Sequence, residues 1–216
     1  MREKREFIDF MIGAGVLAFG DFVAKSGRRT PYFINTGNYK TGSHLSALGE
    51  WYAELVMDSG EEFDVLFGPA YKGITLAAGT AAALYRKYGR DVPYCFNRKE
   101  AKDHGEGGVI IGYTPRGGDR VAIIEDVVTA GTSVRESVEL LRSLGDVRVT
   151  SLFVSADRME RGTGELTTLD ELHGAFNINV YSIITARDIV DALPKGDPRA
   201  ARIEEYLARY GAGGCA

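Results

Sequence analysis

Apolar positions along this chain change their spacing in a regular way. Near the start, Phe7, Phe10 and Met11 fall on one side of a helix that Gly13 and Gly15 close. Residues 16–40 hold no sustained period and are expected to be irregular or short-stranded. Helical spacing returns at Leu45, Leu48, Tyr52, Leu55 and Val56, with Ser43 as the expected cap. From there strands and helices alternate. Apolar runs at 63–67, 94–96, 109–112, 121–124, 148–155 and 180–184 read as strands. Helical patterns lie between them: Ala77, Ala81, Leu84 and Tyr88, then Val134, Val138 and Leu141 up to Gly145, then a helix around 169–176. A last helix is expected at 200–210. This order predicts an α/β fold, a mostly parallel central sheet with helices on both faces. Ligands of such sheets bind outside the carboxyl ends of the strands, here the loops after Phe67, Phe96, Ile124 and Ser155.

The loop after Ile124 carries the densest chemistry. The run Val121 to Ile124 ends on two adjacent acids, Glu125 and Asp126, followed by Val127, Val128 and the small residues Thr129, Ala130, Gly131, Thr132 and Ser133 before the next helix. Free backbone N–H groups at a helix start, beside a glycine that permits close approach, suit a phosphate. The hydroxyls of Thr129, Thr132 and Ser133 add donors. Two acids would repel that phosphate, but they can accept hydrogen bonds from sugar hydroxyls. Together these features describe a site for a ribose 5-phosphate. The segment has neither the P-loop pattern nor the dinucleotide glycine pattern.

Four further loops bear on the same site. Lys72 stands between glycines in Gly68-Pro-Ala-Tyr-Lys-Gly73, where it can meet a diphosphate as a point charge. The long segment 97–108 holds Arg98, Lys99, Lys102 and His104 against Glu100, Asp103 and Glu106, ends in glycines, and has almost no apolar residue. It reads as a solvated loop or as a mobile lid whose cations fold onto an anion. Lys25 to Asn35 joins cations to the aromatic pair Tyr32 and Phe33, suited to a planar heterocycle. Arg158, after the 148–155 strand, can hold a carboxylate as a fork or pair with the acids around it. His44 and His173 lack such company and read as structural.

Composition narrows the class. The chain has 216 residues, 44% hydrophobic and 26% charged, with no repeat and no linker, so one globular domain is expected. A net charge of −4 argues against a nucleic-acid binder, so any anion site must be built locally. No apolar run is long enough to span a membrane, and the charged start lacks a signal core. Cys95 and Cys215 are expected to be unpaired thiols in a reducing cytoplasm.

With these loops in view the chain resembles the bacterial orotate phosphoribosyltransferases. The resemblance runs from about Phe7 to about Tyr210 and rests on Ser26-Gly-Arg, Pro31-Tyr-Phe, Phe67 to Gly73, Tyr94 to Gly108 and the Glu125–Ser133 motif for 5-phosphoribosyl diphosphate, PRPP. It implies a type I phosphoribosyltransferase-like fold spanning residues 1–216, with about 1–40 as a small hood over the base site. Lys25, Tyr71, Lys72, Arg98, Lys99, Lys102 and His104 would then contact PRPP or its diphosphate, and Glu125 through Ser133 would hold the ribose 5-phosphate. Phe33 and Ile34 would border orotate, with Thr129 and Arg158 at its polar edge. Lys102, His104 and Asp126 are the implied catalytic residues. The resemblance also implies Mg²⁺ bound mostly through the diphosphate, and a homodimer whose lid, residues 98–108, reaches the partner's site. The chain departs from the family's pattern at Glu125, where Asp is usual, and at Ile34, where a second aromatic is usual. Two other readings remain open on the residues: a purine or uracil acceptor, and a PRPP-sensing regulator without catalysis. The 97–108 segment and Arg158 speak against the first. The lack of a DNA-binding module speaks against the second.

Overall fold

The computed structural model describes residues 2–24, 27–102 and 108–212, with the backbone alone for 100–102. In chain order the elements are α1 (Lys4–Gly13), β1 (Leu17–Val23), β2 (Arg29–Ile34), a 3-10 turn (Thr36–Asn38), α2 (Gly42–Ser59), β3 (Val65–Gly68), α3 (Lys72–Tyr88), β4 (Tyr94–Lys102) and β5 (Gly108–Gly112). The rest are β6 (Arg120–Ile124), α4 (Thr132–Ser143), β7 (Arg148–Asp157), α5 (Thr168–Phe176), β8 (Asn179–Thr185), α6 (Ala186–Ala192) and α7 (Pro198–Tyr210).

Six strands form one sheet in the order β5-β4-β3-β6-β7-β8, and β1 pairs antiparallel with β2 in a separate ribbon. All neighbours in the large sheet are parallel except β4 and β5. The parallel strands read as unbroken apolar runs because helices cover both faces. Val65, Phe67, Val121 and Ile123 point to one side, toward Val134, Val138 and Leu141 of α4 and Leu169 and Leu172 of α5. Leu66, Ala122 and Ile124 alternate to the other, toward Phe7 and Met11 of α1, Tyr52 and Val56 of α2, and Leu76 of α3. This two-sided burial fixes the register, since a slip by one residue would exchange the two sets. It also aligns the carboxyl ends of β3, β4, β6 and β7 along one edge of the sheet. No helix among the described residues is long and apolar enough to cross a membrane.

The expected strands and helices are present, with three corrections. Helix α2 starts at Gly42, capped by the Thr41 hydroxyl, which accepts from His44 N at 3.2 Å, rather than by Ser43. Residues 97–102 are strand rather than loop: β4 runs on to Lys102 and pairs with β5 as far as Lys102 opposite Gly108, while 103–107 lie outside the described residues. Ladder hydrogen bonds come from the backbone, so a charged segment can continue as strand. Helix α6 was not expected. Its seven residues are too short to show a period, and a reciprocal Thr185–Asp188 capping box starts it.

The close crossing of α2 and α3 depends on glycine. A Cβ at Gly49 would lie 2.6 Å from the Gly79 carbonyl oxygen. Gly49→Ala is therefore expected to force these helices apart at a cost of about 1–3 kcal/mol. Urea unfolding should show a lower midpoint with an unchanged slope, and an unchanged midpoint would contradict the close packing.

Candidate active site

The site is built around Asp126, at the carboxyl end of β6. Asp126 is 8% exposed, and its Oδ2 accepts a hydrogen bond from Lys72 Nζ at 2.7 Å. The Thr36 hydroxyl donates to the same Oδ2 and accepts from Lys72 Nζ at 2.9 Å. A hydroxyl has one proton and two lone pairs, so Thr36 can serve both partners at once. The backbone beneath is fixed as well. Ser155 N and Ser155 Oγ each donate to the Asp126 carbonyl at 2.8 Å, and the Tyr52 hydroxyl donates to the Glu125 carbonyl at 2.7 Å. Groups from β7, α2, α3 and the turn after β2 thus meet on two residues of β6's end.

Glu125 is differently placed. Its Oε2 is buried with no hydrogen-bond partner among the described residues. Burial, and then the neighbouring Asp126 charge, push the Glu125 carboxyl up to about 8, while Lys72 opposes them. A carboxyl that keeps its proton near neutral pH can donate as well as accept, which suits a pair of sugar hydroxyls.

Next to the acids, the N-terminus of α4 is open. Gly131 adopts φ +74° and no side chain caps the helix. A Cβ at Gly131 would lie 3.1 Å from Thr168 Cγ2, so both conformation and packing favour glycine. Helix α3 also begins without a side-chain cap, at Tyr71. By contrast α2, α5, α6 and α7 are capped by Thr41, Thr167, Thr185 and Asp197. The α3 and α4 N-termini follow directly from the ends of β3 and β6, and their first N–H groups remain available to an anion. Thr129 is exposed there, with its carbonyl held by the Thr168 hydroxyl at 2.7 Å.

The β3–α3 turn is tight. A Cβ at Gly68 would come within 1.9 Å of the Gly73 carbonyl oxygen, so the turn that presents Lys72 needs glycine at both ends. Asn97 Oδ1 accepts from Ala70 N at 2.8 Å and ties this turn to β4. Lys99 Nζ sits 5.5 Å from the centre of the exposed Tyr71 ring, so the two expected diphosphate contacts lie together. Arg98 is half-buried beside them, with its Nε unpartnered among the described residues. Lys25, His104 and the side chain of Lys102 lie outside the described residues, as does Cys215. A cavity of about 350 Å³ opens beside the Lys72–Asp126 pair, between Thr36, Tyr39, Leu45 and Tyr52. Residues 127–133 do not line it.

On the β1–β2 ribbon, Phe33 is 40% exposed and its ring lies 5.5 Å from that of Phe22, while Ile34 packs on the core. Arg158 is placed beneath this ribbon. Its Nε donates to Glu160 Oε1 at 2.7 Å, and its guanidinium lies 4.5 Å from the Tyr32 ring centre. The ion pair expected within this acid-and-base cluster is therefore present, but mostly buried rather than at the surface. His44 and His173 are structural as expected: His44 Nδ1 accepts from Lys40 N at 3.3 Å, and His173 Nδ1 meets the Ile178 carbonyl at 2.7 Å. Cys95 is buried and free, and burial pushes its thiol up to about 12, which leaves it inert at neutral pH. Thr36, Tyr52, Asn97 and Ser155 were missed from sequence. Their contacts to the site span long stretches of chain, 90 residues for Thr36 to Asp126, and no local pattern marks them.

The family model for the phosphoribosyl transferase domain matches residues 36–166. The chain belongs to the phosphoribosyltransferases. Within them it falls in the orotate phosphoribosyltransferase family. It is 50% identical over 218 residues to the orotate phosphoribosyltransferase of Clostridium acetobutylicum, covering 96% of this chain and 97% of that one. The Lachnoclostridium phytofermentans enzyme of the same name is 51% identical over 219 residues, with 96% and 97% covered. A crystal structure of the Francisella tularensis orotate phosphoribosyltransferase superposes with a TM-score of 0.87 at 35% identity, over 95% of this chain and 99% of that one.

Glu125 gives the site a pH signature. Its folded-state pKa is raised, so the folded protein holds a proton that the unfolded chain releases from about pH 4.5 upward. Stability from this group is full below that range and declines as pH rises toward about 8. Glu125→Gln removes the dependence. The melting temperature of the variant minus that of wild type should therefore grow from about pH 5 and level off above about pH 8, and a difference that stays flat throughout would contradict the buried, protonated carboxyl.

Proposed function

We propose that this protein transfers the ribose 5-phosphate group of PRPP to N1 of orotate, giving orotidine 5′-monophosphate and diphosphate in UMP formation. The observation that carries this reading is the convergence at one sheet edge of the buried Asp126, the Lys72 ammonium on it and the open N-terminus of α4. The α4 N–H groups and the hydroxyls of Thr129, Thr132 and Ser133 take the 5-phosphate. Glu125 and Asp126 hold the ribose hydroxyls. Tyr71, Lys72, Arg98 and Lys99, with Lys25, Lys102 and His104, take the diphosphate. Phe33 and Ile34 wall the base, and Thr129 and Arg158 meet its polar edge, under a hood formed by about residues 1–40.

Bond breaking to diphosphate runs ahead of bond making to orotate, leaving positive charge on the ribose. Asp126 tolerates that cation, and the lysines neutralise charge growing on the leaving group. Among the described residues no three acidic, histidine or cysteine side chains converge as a metal cage. Asp126, held by Lys72 and Thr36 beside a protonated Glu125, offers only a sparse oxygen set, which fits a Mg²⁺ held mainly by diphosphate and water. When bound, the ion neutralises diphosphate charge. The protein acts in the cytoplasm as a homodimer, with the 98–108 lid of one subunit closing on the other's site. Closure excludes water that would otherwise hydrolyse PRPP.

Loss of orotate absorbance on adding PRPP and Mg²⁺ tests the activity, and its absence overturns the reading. Lys102→Ala is expected to slow turnover by about 10²–10³-fold, equivalent to roughly 2.7–4 kcal/mol of barrier. Full turnover by that variant would remove Lys102 from the leaving-group role.

A further inference from the structure

Arg158 is bonded in an asymmetric way. Both Nε and Nη2 reach a single oxygen of Glu160, Oε1, at 2.7 and 2.5 Å. Those two nitrogens form one edge of the guanidinium fork. The other edge, Nη1 with Nη2, meets no second carboxylate among the described residues. Nη2 also reaches Thr30 Oγ1 at 3.3 Å, and the Thr30 hydroxyl in turn donates to the Tyr32 carbonyl at 2.9 Å. The Tyr32 ring backs the plane of the guanidinium, and burial holds the Tyr32 phenol far above its ordinary value, so it does not become a rival anion.

Glu160 is itself held. Its second oxygen lies 3.9 Å from Arg28 Nη1, just before β2. Its backbone bridges to Gly211 after α7, with Arg161 N donating to the Tyr210 carbonyl at 2.9 Å and Ala212 N to the Met159 carbonyl at 3.2 Å. A carboxylate so anchored, and 20% exposed, is a fixed post rather than a mobile counter-ion.

We propose that Glu160 is a positioning residue for acceptor specificity: by occupying Nε and one hydrogen of Nη2 of Arg158 it aims the remaining nitrogen, Nη1, at the substrate's carboxylate. This rests on the reading above that Arg158 meets the polar edge of orotate. A guanidinium has five N–H donors, so Nη1 can serve a substrate carboxylate and Glu160 need not leave when substrate binds. Its distance from Arg158 therefore matters more than its charge. Shortening the post by one methylene must pull the fork off line, whereas an amide of the same length can still accept from it.

Steady-state kinetics of Glu160→Asp, Glu160→Gln and Arg158→Gln, each checked for folding by its melting curve, test this. Glu160→Asp should raise the KM for orotate about tenfold, the size of one well-aimed charged hydrogen bond, with Glu160→Gln raising it by less. The KM for PRPP should stay put in both, and kcat should change less than the orotate KM. An orotate KM that falls or stays unchanged in the Asp variant, a rise as large or larger with Gln, or a PRPP KM that moves in step overturns the positioning role. Arg158→Gln separates the two levels. If it leaves the orotate KM unchanged, the underlying placement of Arg158 fails. If it raises that KM while the Glu160 variants do not follow the stated order, only the role of Glu160 fails.

Discussion

The Asp126 carboxylate, nearly buried and held by Lys72 and Thr36, is the constraint on which the rest of this structure turns. A buried charge must find partners or shed its ionisation. Here the partners arrive from a helix start and a turn after the β1–β2 ribbon, so satisfying one carboxylate locks two pieces of chain to the edge of the sheet. The ion pair is asymmetric. Asp126 is enclosed, while the Lys72 side chain is 58% exposed and can turn to an incoming anion without unfolding anything. Removing Lys72 from Asp126 has a cost, but a substrate that brings sugar hydroxyls to the acid and phosphate to the lysine satisfies both.

The same logic links fold to chemistry elsewhere. The helices that follow β3 and β6 leave their first N–H groups open, while four helices away from those strand ends are closed by Thr or Asp caps. Open ends at a shared edge cost some local stability and concentrate positive potential where a doubly phosphorylated sugar would lie. Glu125 fits the pattern from the other direction, since the burial that raises its pKa keeps a second negative charge out of the site.

Much of the fold was legible because buried parallel strands leave continuous apolar runs and their helices leave a 3.6-residue period. The strand-to-helix passage at 121–141 was plain for that reason. What escaped was set by other forces. The charged residues after Phe96 looked like loop because side-chain polarity hides a backbone ladder, yet β4 continues to Lys102. Helix α6 owes its start to a capping box and was too short to show periodicity. In the site, Lys72, Asp126 and Gly131 stood out through local chemistry: a lysine between glycines, an acid at a strand end, a glycine before a helix. Thr36, Ser155 and Tyr52 did not, because each is an ordinary residue in its own segment and gains its role only across the folded chain. A surface ion pair within the 157–161 cluster was foreseen as an alternative to a substrate contact. The pair formed is the mostly buried Arg158–Glu160, which takes Nε and Nη2 of the guanidinium and leaves Nη1.

Calorimetric titration of PRPP with Mg²⁺ into wild type and Asp126→Asn bears most directly on the central claim. Asparagine keeps the shape and removes the charge. The account predicts a folded variant whose PRPP affinity is weaker by about tenfold or more, the size of one lost charge-assisted contact. A folded variant that binds PRPP as tightly as wild type would contradict it.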